Sequence, residues 1–112
     1  MPYVKKNEVI WSMPPNNSIN YMMNFVKDYL DGKITRMVFD LDFNYHLTEH
    51  YSRMEYENSD IAECFYFYLS QEGFDQAENL NDDEHKKLIL KQWNEFNGAI
   101  KAAYFDVYHT CT

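Results

Sequence analysis

Residues 18–43 read SINYMMNFVKDYLDGKITRMVFDLDF, and their apolar spacing decides the fold. Ser18 offers an N-cap, apolar side chains then recur three and four residues apart, and Gly32 supplies a left-handed stop. Thr35 can cap a second helix, in which phenylalanines four residues apart begin the buried stripe. The pattern predicts one amphipathic helix over about 18–31 and a second from Thr35 to about residue 55.

The second half of the chain predicts two further helices. Residues 57–59, Glu-Asn-Ser, end helix two and cap a third helix, which Gly73 terminates. A short acidic loop over 74–80 leads to Asn81, which has capping-box spacing with the acid three residues later. The fourth helix begins there and is the longest, and residues 104–112 either extend it or alternate as a strand.

The predicted fold is all-α, a four-helix antiparallel bundle in a single domain of 112 residues. Short links favour antiparallel neighbours, because each apolar stripe is then covered by the next helix. An irregular N-terminal arm over 1–17 contains all three prolines. The bundle spans 18–103, and a short C-terminal tail covers 104–112.

Charge is distributed unevenly along the chain, whose net charge is −8. Residues 40–84 contain thirteen acids and a single basic residue, Arg53, so this segment carries −12 and the flanks together carry +4. A field of this shape repels nucleic acid and anionic membrane and attracts a basic protein. A solvated face on an ordinary helical domain explains the charge alone equally well.

Residues 46–50 read HLTEH, which matches the HxxEH arrangement of inverted zinc peptidases. His46 and His50 are one helical turn apart and can chelate a metal, with Glu49 as a base. A catalytic zinc also needs a third protein ligand and a cleft, and the sequence has no distinctive motif for the ligand. We therefore interpret both histidines as edge residues of helix two that pack on aromatic rings or bond to carboxylates.

No other motif predicts catalysis, and we expect no catalytic residue, no metal and no cofactor. The three glycines form no phosphate-binding loop, and no nucleophile elbow is present. Cys64 and Cys111 lack zinc-ligand spacing and are interpreted as free thiols. The sequence shows no secretion signal and no apolar run long enough to span a membrane, which predicts a cytoplasmic protein.

One stretch carries a family resemblance. The run FVKDYLDGKIT, residues 25–35, followed by two phenylalanines four residues apart, resembles the opening of immunity proteins of the colicin D type. Similar proteins serve as immunity partners in contact-dependent growth inhibition. The acidic run 74–78 and the capping segment 81–84 also suit this family, and the resemblance covers roughly residues 18–97.

The resemblance implies a helical bundle that binds the basic nuclease toxin domain made by the same cell, often one that cleaves transfer RNA, and blocks it with acidic side chains. We expect no direct contact with nucleic acid or membrane, and a monomer or weak homodimer when the protein is free. No family binding residue carries over by motif, so the contacts are predicted from the acidic tract, where carboxylates replace phosphates and rings replace bases. The predicted contacts are Tyr56, Asp60, Glu63, Tyr68, Glu72, Phe74, Asp75, Glu78, Asp82, Asp83 and Glu84.

Two other classes of function remain open at this stage. One is an acidic adaptor or regulatory subunit that docks on a protein other than a toxin. The other is a zinc-dependent enzyme that uses His46, Glu49 and His50.

Overall fold

The computed structural model describes the backbone of residues 17–111 and the side chains of residues 17–103. Within these ranges every regular element is helical, which confirms the all-α bundle. The predicted N-terminal arm lies outside the described residues, apart from Asn17, which belongs to the first helix. The elements are α1 (Asn17–Leu30), α2 (Arg36–Glu57), α3 (Ser59–Phe65), a π-helical segment (Tyr66–Gln71), a 3₁₀ turn (Phe74–Gln76) and α4 (Asp82–Cys111).

Helices α1 and α2 form an antiparallel hairpin. Gly32 in the link has a φ of 81°, which is the left-handed conformation that its sequence position predicted. The hydroxyl of Thr35 accepts the backbone N–H of Val38 at 3.2 Å and caps α2. Across the hairpin the rings of Phe25 and Phe39 stack with centroids 5.5 Å apart, so both predicted signals and the pairing that follows from them are confirmed.

The start of α1 differs from the prediction in its cap. Ser18 lies inside the first turn and is not the N-cap, because α1 already begins at Asn17. The carboxylate of Glu57, at the far end of α2, accepts the backbone N–H groups of Ser18 at 2.8 Å and Ile19 at 3.0 Å. Its side chain is only 1% exposed, and a negative charge is favourable at a helix N-terminus. The cap therefore comes from tertiary packing rather than from the adjacent sequence.

The end of the third helix was predicted at Gly73, and the structure gives a different reason for it. A Cβ atom on Gly73 would lie 2.8 Å from the carbonyl oxygen of Leu69, so a larger residue cannot approach the preceding turn this closely. The φ of Gly73 is −104°, so no left-handed conformation is involved. The π-helical segment just before it, which closes with a 2.9 Å bond from the N–H of Glu72 to the carbonyl of Phe67, was not predicted.

Phenylalanines from three helices meet in the core. The ring of Phe43 on α2 stacks on Phe65 of α3 at 6.3 Å, and Phe65 meets Phe96 of α4 edge-on at 5.5 Å. Burying these rings is the main stabilising contribution to such a bundle. Helix α4 then continues through Cys111, so residues 104–111 extend the helix and form neither a strand nor a separate tail. No proline interrupts this stretch, and Ala102 and Ala103 just before it favour helix.

Candidate functional site

A groove runs beside α2, between this helix and the π-helical segment with the loop that follows. It consists of two adjoining hollows of about 350 Å³ and 390 Å³, which share Asn44 and Asp75. Polar side chains of α2 line it at intervals of three and four residues, which places them on one side of the helix. We call it the acidic groove, and its lining consists of Asp40, Asn44, Leu47, Thr48, Tyr51, Tyr66, Ser70, Phe74, Asp75 and Glu78.

The groove carries uncompensated negative charge. Asp75 and Glu78 are exposed and form no ion pair with any residue of 17–103, and no lysine or arginine lines either hollow. Asp40 is the one lining carboxylate with a cationic partner, Arg36. The lysines of α4 within the described side chains lie more than 4.0 Å from every described carboxylate, so they do not neutralise the groove. A concentrated field of this kind attracts cations and basic surfaces.

Two tyrosines mark the end of the groove nearest α3. The rings of Tyr51 and Tyr66 lie 5.6 Å apart and are tilted by 56°. The hydroxyl of Tyr51 donates to a carboxylate oxygen of Glu55 at 3.1 Å. Burial, this hydrogen bond and the charges of Glu55 and Glu63 raise the pKa of Tyr51 to about 12. Tyr51 is therefore a neutral phenol at physiological pH, and it sits among carboxylates.

Arg36 fixes the other end. Its Nε donates to Asp40 at 3.1 Å, and one Nη donates to Asp82 at 2.9 Å and to the carbonyl of Leu80 at 2.6 Å. The second Nη reaches two more carbonyls of the same loop, at residues 77 and 78. Burial lowers the pKa of Arg36, but the hydrogen bonds to Asp82 and Asp40 outweigh it and raise the pKa overall. The loop that presents Glu78 is thus held against α2.

A buried polar chain lies behind Asp40. His85 on α4 is 1% exposed, and its Nδ1 and Nε2 lie 2.7 Å from the hydroxyl of Tyr29 and 3.0 Å from Asp40. Because an ionised carboxylate only accepts, Nε2 carries the proton and Nδ1 accepts the phenolic O–H. Burial lowers the pKa of His85, with Asp40 opposing it in part, and burial raises the pKa of Tyr29. These hydrogen bonds between Tyr29, His85 and Asp40 link α1, α4 and α2.

Five of the predicted contacts lie in or beside the acidic groove. Phe74, Asp75 and Glu78 line it, whereas Asp82 and Asp83, the first residues of α4, line a separate hollow with Asn81. Two of the five already have partners within the protein. The ring of Phe74 stacks on the core at 4.8 Å, so only its outer part is accessible, and Asp82 is the ion-pair partner of Arg36.

The other predicted contacts are not brought into the groove. Tyr56 is 81% exposed and lies about a third of a turn round α2 from the groove side. Glu63 is exposed on α3 near Tyr51, whose pKa its charge raises. Tyr68 is half-buried against the core, with the ring of Phe67 at 4.9 Å. The remaining three, Asp60, Glu72 and Glu84, are exposed and line neither hollow of the groove.

The two histidines of the HLTEH motif face α1 and are occupied by aromatic contacts. The ring of His50 stacks on Tyr21 at 4.3 Å, and its Nδ1 bonds the hydroxyl of Ser18 at 2.9 Å. His46 meets Tyr21 and Phe25 edge-on at 5.3 Å and 5.0 Å. This placement agrees with their interpretation as edge residues that pack on rings. The described part of the chain contains no group of three or more side chains suited to hold a metal ion.

Several groove residues were not among the predicted contacts, namely Asp40, Asn44, Thr48, Tyr51, Tyr66 and Ser70 as groove lining and His85 as their support. The four on α2 had a usable signal, since polar residues at intervals of four, four and three mark a second face beside the apolar stripe. Ser70 and His85 had none, because only tertiary packing buries them.

No family model, no curated protein and no solved structure matches this chain. Among the described residues no helix is both long enough and apolar enough to cross a bilayer.

Proposed function

We propose that this chain is an immunity protein, which binds a basic nuclease toxin domain in the cytoplasm and blocks it through the acidic groove. The observation that carries the proposal is the pair of free carboxylates of Asp75 and Glu78 beside aromatic rings, in a groove without lysine or arginine. A nuclease cleft is shaped for phosphates and bases, so carboxylates flanked by rings complement it. The resemblance of residues 18–97 to immunity proteins of the colicin D type supports the same class.

The hydrogen bonds of Arg36 to the loop over residues 77–80 favour tight binding of the toxin domain. A loop that is already ordered loses little conformational entropy when a partner binds, so more of the interaction energy appears as affinity. The negative field of the acidic groove accelerates the encounter with the toxin domain. The aromatic rings that become buried in the interface set the residence time of the complex. No catalytic residue and no cofactor take part in this function.

The proposal predicts that the gene of a large secreted toxin lies directly upstream of the gene for this chain, and the decisive experiment uses the purified toxin domain of that protein. Calorimetry should show stoichiometric binding, and the complex should no longer cleave transfer RNA. The association rate should fall steeply as salt is raised, because screening weakens steering. Failure to bind any such domain, or binding that leaves cleavage intact, would contradict the proposal. Binding without inhibition of cleavage would instead favour an acidic adaptor.

Two double variants test whether toxin binding depends on the acidic groove or only on the net charge of the protein. Asp75→Lys with Glu78→Lys should weaken toxin binding by about 100-fold, because two like charges then face the basic surface. Asp42→Lys with Glu49→Lys makes the same change in net charge roughly on the opposite side of α2, and should cost less than about tenfold. Equal losses in the two variants would mean that total charge matters and the groove does not.

A further inference from the structure

The middle of the acidic groove has the form of a small receptor for a side chain. The hollow of about 390 Å³ is walled by the rings of Tyr51 and Tyr66 and by Leu47, and Asp75 stands at its rim. Asn44 and Thr48 add amide and hydroxyl groups from α2, and Ser70 adds a hydroxyl from the π-helical segment. Aromatic faces, one carboxylate and several neutral acceptors thus converge on one space.

Ser70 gives independent evidence that this space takes a polar ligand. Its residue is 4% exposed, and its hydroxyl forms no hydrogen bond with any residue of the described chain, although it lines the hollow. A buried hydroxyl without a protein partner is uncommon and is satisfied when a bound group supplies the missing bond. Ser70 also lies in a π-helical segment, a rare distortion that frequently occurs at functional sites.

The electrostatics of the hollow select a cation. Asp75 has no ion-pair partner among the described residues, and Glu55 and Glu63 act on Tyr51 from α2 and α3. Tyr51 keeps its proton, and its O–H group donates a hydrogen bond to a carboxylate oxygen of Glu55, so the ring remains a neutral aromatic face. Such a face beside carboxylates attracts a cation.

We propose, building on the proposed function, that this hollow receives an arginine side chain of the basic partner. The planar guanidinium carries five N–H donors in a fixed fork. Its edge can donate to Asp75, Ser70 and the amide oxygen of Asn44, while its face lies on the tyrosine rings. A lysine ammonium has no planar face and only three donors, so it matches this arrangement less well.

A small-molecule titration tests the pocket without the toxin. N-acetyl-arginine methylamide is added to the ¹⁵N-labelled chain of 112 residues, and changes in the amide chemical shifts are followed by NMR. The citrulline analogue, which has the same shape and no charge, is the matched probe, and the lysine analogue tests the choice of cation. The arginine compound should shift residues 44, 51, 70 and 75 and bind at least about tenfold more tightly than either analogue. Shifts spread over all exposed acids, or equal binding of the three compounds, would overturn the pocket.

Two variants that should leave the fold intact sharpen the test. Ser70→Ala removes a hydroxyl without a described protein partner, and Asp75→Asn neutralises an exposed carboxylate. Each should weaken binding of the arginine compound by about five- to tenfold, with Glu95→Gln on α4 as the unaffected control. Circular dichroism verifies the fold of each variant, and undiminished binding in both refutes the assignment.

The same variants distinguish failure of the pocket from failure of the proposed function. If the toxin domain binds Asp75→Asn and Ser70→Ala as tightly as the native chain, the pocket assignment is wrong and the immunity function stands. If the arginine compound binds as expected but no nuclease domain does, the pocket stands and the immunity function falls.

Discussion

Tyr29→Phe tests whether the polar chain beneath the acidic groove stabilises the bundle. The substitution keeps the ring, which stacks on Phe39 at 4.5 Å and lies under the ammonium of Lys86 at 5.0 Å. It removes only the hydroxyl that lies 2.7 Å from Nδ1 of His85. Since His85 is 1% exposed, water cannot readily replace the lost donor.

The expected loss of stability arises because Nδ1 of His85, a buried acceptor, is left without a hydrogen-bond donor. Such a group costs about 1–3 kcal/mol, and the cavity left by one oxygen atom adds little. A loss of about 2 kcal/mol lowers the Tm of a domain of this size by about 10 °C. The effect should be confined to stability, because Tyr29 lines neither hollow of the acidic groove.

Urea unfolding followed by circular dichroism at pH 7.5 measures the difference directly. Tyr56→Phe is the matched control, since Tyr56 is 81% exposed and has no hydrogen bond to a described residue, and it should change stability by less than about 0.5 kcal/mol. If Tyr29→Phe is as stable as this control, the bond between Tyr29 and His85 is not a structural element of the bundle.

Four further substitutions have definite expected outcomes. In the folded state the pKa of His85 is lowered from 6.5, so His85 binds its proton more readily in the unfolded chain. The free energy of unfolding should therefore fall as pH drops below about 6.5. His85→Gln should flatten this pH dependence, as measured by urea titrations at several pH values. Glu57→Gln should lose about 2 kcal/mol and reduce hydrogen-exchange protection in the first turn of α1, because a neutral amide caps two N–H groups poorly. Gly73→Ala should lower the stability by about 1–3 kcal/mol in thermal unfolding, because the added Cβ would lie 2.8 Å from a carbonyl oxygen. Gly98→Ala should raise the stability by about 1 kcal/mol, because its Cβ enters open space and alanine favours helix.

Each of these expectations has an outcome that contradicts it. A pH slope that His85→Gln leaves unchanged would show that other groups carry the proton linkage. Unaltered protection of α1 in Glu57→Gln would mean that the helix start does not depend on this carboxylate. Equal melting temperatures for the two alanine variants would show that the close approach at Gly73 relaxes without cost.

The sequence by itself determined the local features of the fold. The helix starts at Thr35 and Asn58 and the left-handed stop at Gly32 were predictable, because each depends on a side chain or a φ angle within a few residues. The apolar stripes were predictable for the same reason, since helical periodicity sets which side chains can be buried together. The accumulation of acids over residues 40–84 was visible as well, and the prediction of a basic partner rests on it.

Tertiary structure alone decided which acids form a surface. Asp75 and Glu78 share a groove with Tyr51 because the loop after the π-helical segment folds back on α2, whereas Tyr56 lies on the solvent side of the same helix. The cap on α1 joins Ser18 to Glu57, which is 39 positions away in the sequence. The buried hydrogen bond joins Tyr29 to His85, which is 56 positions away. Contacts of this range depend on how whole helices pack, and no local pattern in the sequence encodes them.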